Sequence, residues 1–187
     1  MNIRAKSEKG FSLIELLVVV AIIGVLAAVG VVGYQGYIDS TKKAVTENNS
    51  KAVHQWLLNA KTIRSAGIDV DPSECTIASL PSTTDSATAV APGGCFAGLG
   101  AEGHPFETFK NPYNQSRSGS NTILVTPSTA EVVDGTTACV DLLAGSEDGD
   151  VLIRVSGTIA HIDVFYCSKV DGTSGRLTKM TNTITNF

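Results

Sequence analysis

The chain has 187 residues, enough for one domain of usual size plus an extension, and nothing in that length requires a second core. Apolar residues make up 43% of it but are unevenly placed: residues 11–34 are almost wholly apolar, and the remainder is rich in Ser, Thr, Gly and Asn. The net charge is −4, and because residues 1–10 carry +2 the rest carries −6, which leaves no basic field to gather phosphate and argues against strong nucleic-acid binding.

At the N-terminus, Arg4, Lys6 and Lys9 precede a run from Leu16 to Tyr34 without a charged residue. That is about the twenty apolar residues a bilayer-spanning helix requires. Basic flanks stay in the cytoplasm, so the body of the chain is expected on the far side, where disulfides form. An ordinary secretory signal is the competing reading, with Ala27 and Ala28 as small residues near a cleavage point. The apolar stretch is longer than the usual signal core of roughly 7–15 residues, however, and it runs on into a helical pattern instead of a turn. Glu15 also sits inside it. A carboxylate there costs about 2.5–3.5 kcal/mol on insertion scales, so it calls for a partner and a function.

The string Lys9-Gly10-Phe11-Ser12-Leu13-Ile14-Glu15-Leu16, with the apolar run that follows to Ala28, resembles the class III signal of type IV prepilins nearly residue for residue. The resemblance implies that a membrane-embedded prepilin peptidase cuts between Gly10 and Phe11, removing residues 1–10 as a basic leader, and methylates Phe11. It also places the family's invariant glutamate on Glu15. The physics is consistent with this. Cleavage creates an α-amine at Phe11, and a positive charge at the end of an apolar helix needs a counter-ion as much as Glu15 does. If the Glu15 of one subunit faces the amine of the next, assembly register becomes an electrostatic matter. The match departs from many type IV pilins where they carry a proline; here Gly30, Gly33 and Gly36 surround Tyr34, and a bendable or locally melting helix is expected there.

Residues 11–38 are thus expected to form a transmembrane and filament-core helix, and residues 39–187 an exported globular domain. The helical pattern continues through Ile38, Val45, Ala52, Trp56, Ala60 and Ile63, a stripe expected to pack on the domain's own sheet, until Gly67 ends it. Residues 68–121 are dominated by turn formers and read as a long ordered loop that buries Phe96, Phe106, Phe109 and Tyr113. Strand-prone segments follow at Thr122–Thr126, Glu131–Asp134, Ala138–Leu143, Asp150–Ser156, Thr158–Tyr166 and Leu177–Thr183, with Ser156-Gly157 as a tight turn. The expected class is α+β: a long N-terminal helix on an antiparallel sheet of about four strands, an architecture that also looks like the pilin fold.

Cys75, Cys95, Cys139 and Cys167 have no zinc-type partners nearby and read as two disulfides. Three pairings are open. Sequence order slightly favours Cys75–Cys95 and Cys139–Cys167. His54, His104 and His161 are scattered, with no nucleophile motif, so no enzyme and no cofactor is expected. Ser146-Glu147-Asp148-Gly149-Asp150 crowds three carboxylates into a turn that could hold Ca²⁺, but it lacks the twelve-residue EF-hand spacing, and a solvated turn is the plainer reading. The Ser82–Thr88 stretch is a possible glycosylation surface or a plain loop. Lys110, Arg117, Arg176 and Lys179 are the basic residues that convergence in space would make interesting.

The leading expectation is a structural subunit of a type IV pilus. It begins as a single-pass precursor in a bacterial inner membrane with its N-terminus in the cytoplasm, and then packs as a homo-oligomer in an extracellular helical filament. The chain has no Gly-rich phosphate loop, so a separate assembly ATPase and a platform protein are implied. The alternatives are a pseudopilin of a type II secretion system, or a minor pilin that binds DNA or a surface.

Overall fold

A computed structural model describes residues 10–67, 99–100, 105–128, 131–156, 161–180 and 183–185. Leader residues 1–9, most of the loop expected over 68–121 with Cys75, Cys95, Phe96, His104 and the Ser82–Thr88 stretch, and Gly157 of the expected turn lie outside the described residues. The chain divides into two compact units, Met1–Ser40 and Thr41–Phe187.

In the first unit the backbone enters helix α1 (Leu13–Ser65) at Ser12, whose carbonyl accepts the first helical bond from the Leu16 N–H at 3.3 Å. Leu, Ile, Val and Ala then satisfy every backbone group locally. The helix continues without interruption through Gly30, Gly33 and Gly36, so the local melting expected there is not seen. Ser40 Oγ returns a hydrogen bond to the Gly36 carbonyl at 2.9 Å, giving the glycine-containing stretch one extra tie.

The second unit contains the end of α1, a 3-10 turn (Gly119–Asn121), β1 (Ile123–Pro127), a short α2 (Cys139–Leu142), β2 (Val151–Ser156), β3 (His161–Val170), β4 (Thr173–Lys179) and β5 (Ile184–Thr185). Helix α1 stops where Gly67 takes φ +79, the left-handed conformation that suits a residue without Cβ. The sheet order is β1-β2-β3-β4, and β5 pairs with β3 through His161 and Ile162, continuing beyond β4 along the same strand. The sheet is therefore about four strands wide, and it is mixed. β1 and β2 are parallel, Ile123 opposite Val151, while β2–β3, β3–β4 and β3–β5 are antiparallel. A parallel pair needs a long crossover, and here residues 128–150 supply it, carrying α2 across the sheet.

That crossover gives the sheet two buried faces. On one, Val53 and Leu57 of α1 pack with Ile153, Val155, Ile162 and Val164, all at most 1% exposed. Trp56 meets Phe106 edge-on at 5.8 Å, and Phe106 meets Phe109 at 5.0 Å, closing the end of this layer. On the other, Leu152, Phe165, Cys167 and Leu177 pack under Cys139 and Leu142. Each such fully buried aliphatic or aromatic side chain contributes about 1.5–3 kcal/mol. Burial on both faces explains the unbroken apolar run Val164-Phe165-Tyr166-Cys167 within β3.

Beyond the parallel β1–β2 pair, four sequence expectations need correction, the first being Glu131–Asp134, which lies in irregular backbone and a turn and forms no strand. The segment Ala138–Leu143 is not a strand: Cys139–Leu142 forms helix α2, begun by an Ala138 N–H to Asp141 Oδ2 bond of 3.3 Å. The last long strand is Thr173–Lys179 instead of Leu177–Thr183. The α1 stripe is also rotated. Thr46, Ser50, Val53, His54, Leu57 and Ala60 are buried, while Ala52 faces solvent and Val45 and Ile63 are 40% and 39% exposed. Thr46 and Ser50 can be buried because their hydroxyls bond back to the Lys42 and Glu47 carbonyls at 2.9 and 2.8 Å, so polar residues occupy positions that a hydrophobicity pattern assigns to solvent.

The outer edge of β4 is covered as well. The N–H groups of Gly175, Leu177 and Lys179 donate to Asp148 Oδ1 (2.7 Å), the Thr137 carbonyl (3.0 Å) and Asp134 Oδ1 (2.8 Å). An edge with its donors taken does not template pairing with another chain.

Candidate assembly site and the head that accompanies it

Gly10 and Phe11 lie just ahead of α1, and both are exposed, Phe11 by 90%. The bond expected to be cut is therefore accessible. The Ser12 N–H donates to Glu15 Oε2 at 2.9 Å, so Ser12-Leu13-Ile14-Glu15 forms the return half of a capping box. The same carboxylate sits in the first turn, where the helix dipole favours negative charge by about 0.3–1 kcal/mol. Glu15 thus has a role within its own helix as well as any role between subunits. An ionised carboxylate has about four acceptor positions, so one cap leaves capacity for a further donor.

From Leu13 to Val32 every large apolar side chain is at least 49% exposed. The helix is apolar and long enough to cross a membrane. A surface of this size and composition requires lipid or other apolar helices against it.

In the head, Cys139 of α2 and Cys167 of β3 form a disulfide, Cα atoms 6.0 Å apart, that pins the crossover to the second face of the sheet. Beside it lies the acidic turn. Asp150 is fully buried and accepts from Asn111 Nδ2 (2.8 Å) and the Glu147 N–H (2.9 Å), and it pairs with Arg117 at 2.9 Å. Asn111 in turn accepts from the N–H groups of Tyr113 (2.8 Å) and Asn114 (3.0 Å). Gly149, at φ +95, presses on this amide so closely that a Cβ would stand 2.1 Å from Asn111 Oδ1. The turn is a joint between two segments instead of a solvated loop. Among the described residues no group of three His, Cys, Asp or Glu is placed to hold a metal.

A second buried carboxylate, Asp163 on β3, receives Arg154 from the neighbouring strand, Lys179 Nζ at 2.8 Å and the Thr183 hydroxyl at 2.6 Å. Of the four basic residues flagged by sequence, Arg117 and Lys179 are thus committed to different carboxylates. Arg176 bonds to the Thr136 carbonyl, and Lys110 lies at an isolated bridge to Ser118. They serve separate internal contacts and do not line one groove. His54 is buried on α1 and His161 is exposed at the start of β3.

The two carboxylates titrate in opposite directions. Burial pushes Asp150 up from 3.8 to about 6, against the opposing pull of the Glu147 N–H, Asn111 and Arg117. Its folded value lies above its unfolded one, so its contribution to stability is complete below about pH 4 and is lost as pH rises through about 6. For Asp163, burial alone would also raise the value, but Lys179, Thr183 and Arg154 outweigh it and hold the carboxyl below 3.8. That contribution is present above about pH 4 and disappears as pH falls through the folded value. Denaturant midpoints across pH 2–8 check this. Asp150→Asn should abolish the decline between about pH 4 and 6, by up to roughly 2 kcal/mol, and keep the acid-side loss; an unchanged slope between pH 4 and 6 would show that Asp150 does not titrate there.

The helix-on-sheet arrangement is an α+β, pilin-like one. Residues 5–31 match the family model of the prokaryotic N-terminal methylation motif, a stretch that contains Gly10, Phe11 and Glu15. This is the class III signal of type IV pilin-like proteins, and it supports a type IV pilin-like or pseudopilin protein. No curated protein and no solved structure matches the chain.

Reading the sequence did not find the cap between Ser12 and Glu15, although the Ser-x-x-Glu spacing was visible. It also missed the Asn111–Arg117–Asp150 and Arg154–Asp163–Lys179 groups. Their members lie up to 39 residues apart in the chain, and no local spacing marks them.

Proposed function

We propose that this chain is the structural subunit of a type IV pilus, cut between Gly10 and Phe11, methylated at Phe11, and assembled through α1. The observation that carries the reading is the pairing of an exposed apolar helix with a carboxylate in its first turn, within the matched N-terminal methylation motif. In this account residues 1–10 are a leader, residues 11–38 leave the bilayer for the filament core, and residues 39–187 form the exported head. Transfer from lipid to filament costs little because one apolar surround replaces another. The N-terminal amine of an incoming subunit meets Glu15 of a subunit already in place, and that pairing favours one axial stagger.

The chain contributes assembly contacts. Energy and the membrane platform come from separate proteins, the expected ATPase and platform protein. The test is fractionation: mechanical shearing of cells should release the processed subunit in filaments that sediment. Retention of the processed form in the envelope would instead favour a type II secretion pseudopilin, and binding of DNA or a surface by a scarce released form would favour a minor pilin.

A further inference from the structure

The Arg117 side chain, 18% exposed, is surrounded by four oxygen atoms from two segments, its own loop and the 145–150 turn. Nε donates to the Asn121 carbonyl at 2.8 Å. One terminal nitrogen donates to the Gly145 carbonyl at 3.0 Å and lies 3.4 Å from Glu147 Oε1, and the other pairs with Asp150 Oδ2 at 2.9 Å. Two carboxylates and two backbone carbonyls around one cation are the kind of all-oxygen donor set that a hard divalent cation takes. Here they are spaced for the wider fork of a guanidinium. Three further acidic oxygens have their own donors: Asp150 Oδ1 takes Asn111 Nδ2, Glu147 Oε2 takes Asn114 Nδ2 at 3.1 Å, and Asp148 Oδ1 takes the Gly175 N–H.

We propose that the Arg117 guanidinium is the built-in cation of the acidic turn, filling with a side chain the oxygen cage that would otherwise require a divalent metal ion, so that this part of the head holds its shape without metal. The planar fork suits the role because it meets several directed acceptors at once, which an ammonium on a flexible stem does not. Its backbone is held by the same cluster, since the Arg117 carbonyl accepts from the Asn111 N–H at 3.0 Å. The mechanical consequence extends to the disulfide strand. The Gly149 N–H donates to the Cys167 carbonyl at 2.9 Å, and the Cys167 N–H donates to the Asp150 carbonyl at 2.8 Å, so Arg117 ties the loop that contains it to the turn and thereby to β3.

The test uses the full chain in detergent at pH 7.5, where Asp150 is ionised, with thermal midpoints read in a chelator and in excess calcium chloride. Wild type should show the same midpoint in both. Arg117→Met should lower the midpoint in chelator by roughly 5–15 °C, and calcium should recover part of that loss. Arg117→Lys, which keeps the charge but not the fork, should fall between them and keeps the comparison readable if the methionine variant does not fold without metal. A wild-type midpoint that rises with calcium would overturn the proposal. So would an Arg117→Met chain as stable as wild type, or one destabilised and indifferent to calcium.

Discussion

Asp163→Asn is expected to remove about 3–5 kcal/mol of stability, the largest loss from any single substitution considered in the head. Asp163 is 2% exposed, and it is the shared acceptor for Arg154, Lys179 and Thr183. Arg154 faces it across the β2–β3 pair and also lies over the Phe165 ring at 5.4 Å, so the guanidinium is held against an aromatic surface with little water. Asparagine keeps the size and can still accept from Thr183, but it removes the negative charge that Arg154 and Lys179 share. The cost is therefore that of breaking a buried charge cluster, not of one lost hydrogen bond. Urea denaturation of the full chain in detergent would measure it. A loss below about 1 kcal/mol would mean that water reaches Arg154 and that the cluster behaves as a surface pair.

Glu15→Gln is expected to leave processing intact and to cut filament yield by at least tenfold. Glutamine keeps the length of the side chain and can still accept the Ser12 N–H, since either residue serves at that position of a capping box. What it cannot do is neutralise an incoming Phe11 amine. Removing one partner of a buried charge pair costs about 2–5 kcal/mol, and every 1.4 kcal/mol is a factor of ten in an association equilibrium. The substitution separates the two roles of Glu15. Processed chains that accumulate in the membrane fraction would assign assembly to the charge. Wild-type filament yield would mean that the cap alone suffices, and the electrostatic register would be wrong.

How much of this was legible in the sequence depended on whether the cause was local. The apolar run, Glu15 and the Gly10–Phe11 step are contiguous, so the N-terminal motif could be read directly, and α1 begins and ends close to where Ser12 and Gly67 suggest. The class of fold was legible for a related reason, because a 53-residue helix followed by strand-prone segments leaves few arrangements. The orientation of α1 was not. Thr46 and Ser50 look polar in a list but satisfy their hydroxyls within the helix, and this turned the buried stripe away from Val45 and Ala52. The parallel β1–β2 pair was equally hidden. Val151–Ser156 is a good strand in either direction, and only the crossover carrying α2, itself mistaken for a strand, decides which one it takes. The buried carboxylate groups were out of reach because their energetics depend on partners from distant segments, and a crowded acidic turn reads as solvated until its arginine is in view.

The measurement that tests the central claim most directly is the intact mass and N-terminal sequence of the protein recovered from sheared filaments. The account predicts a chain beginning with N-methylated Phe11 and lacking residues 1–10, with the disulfide between Cys139 and Cys167 intact. A mature chain that still begins at Met1 would contradict it.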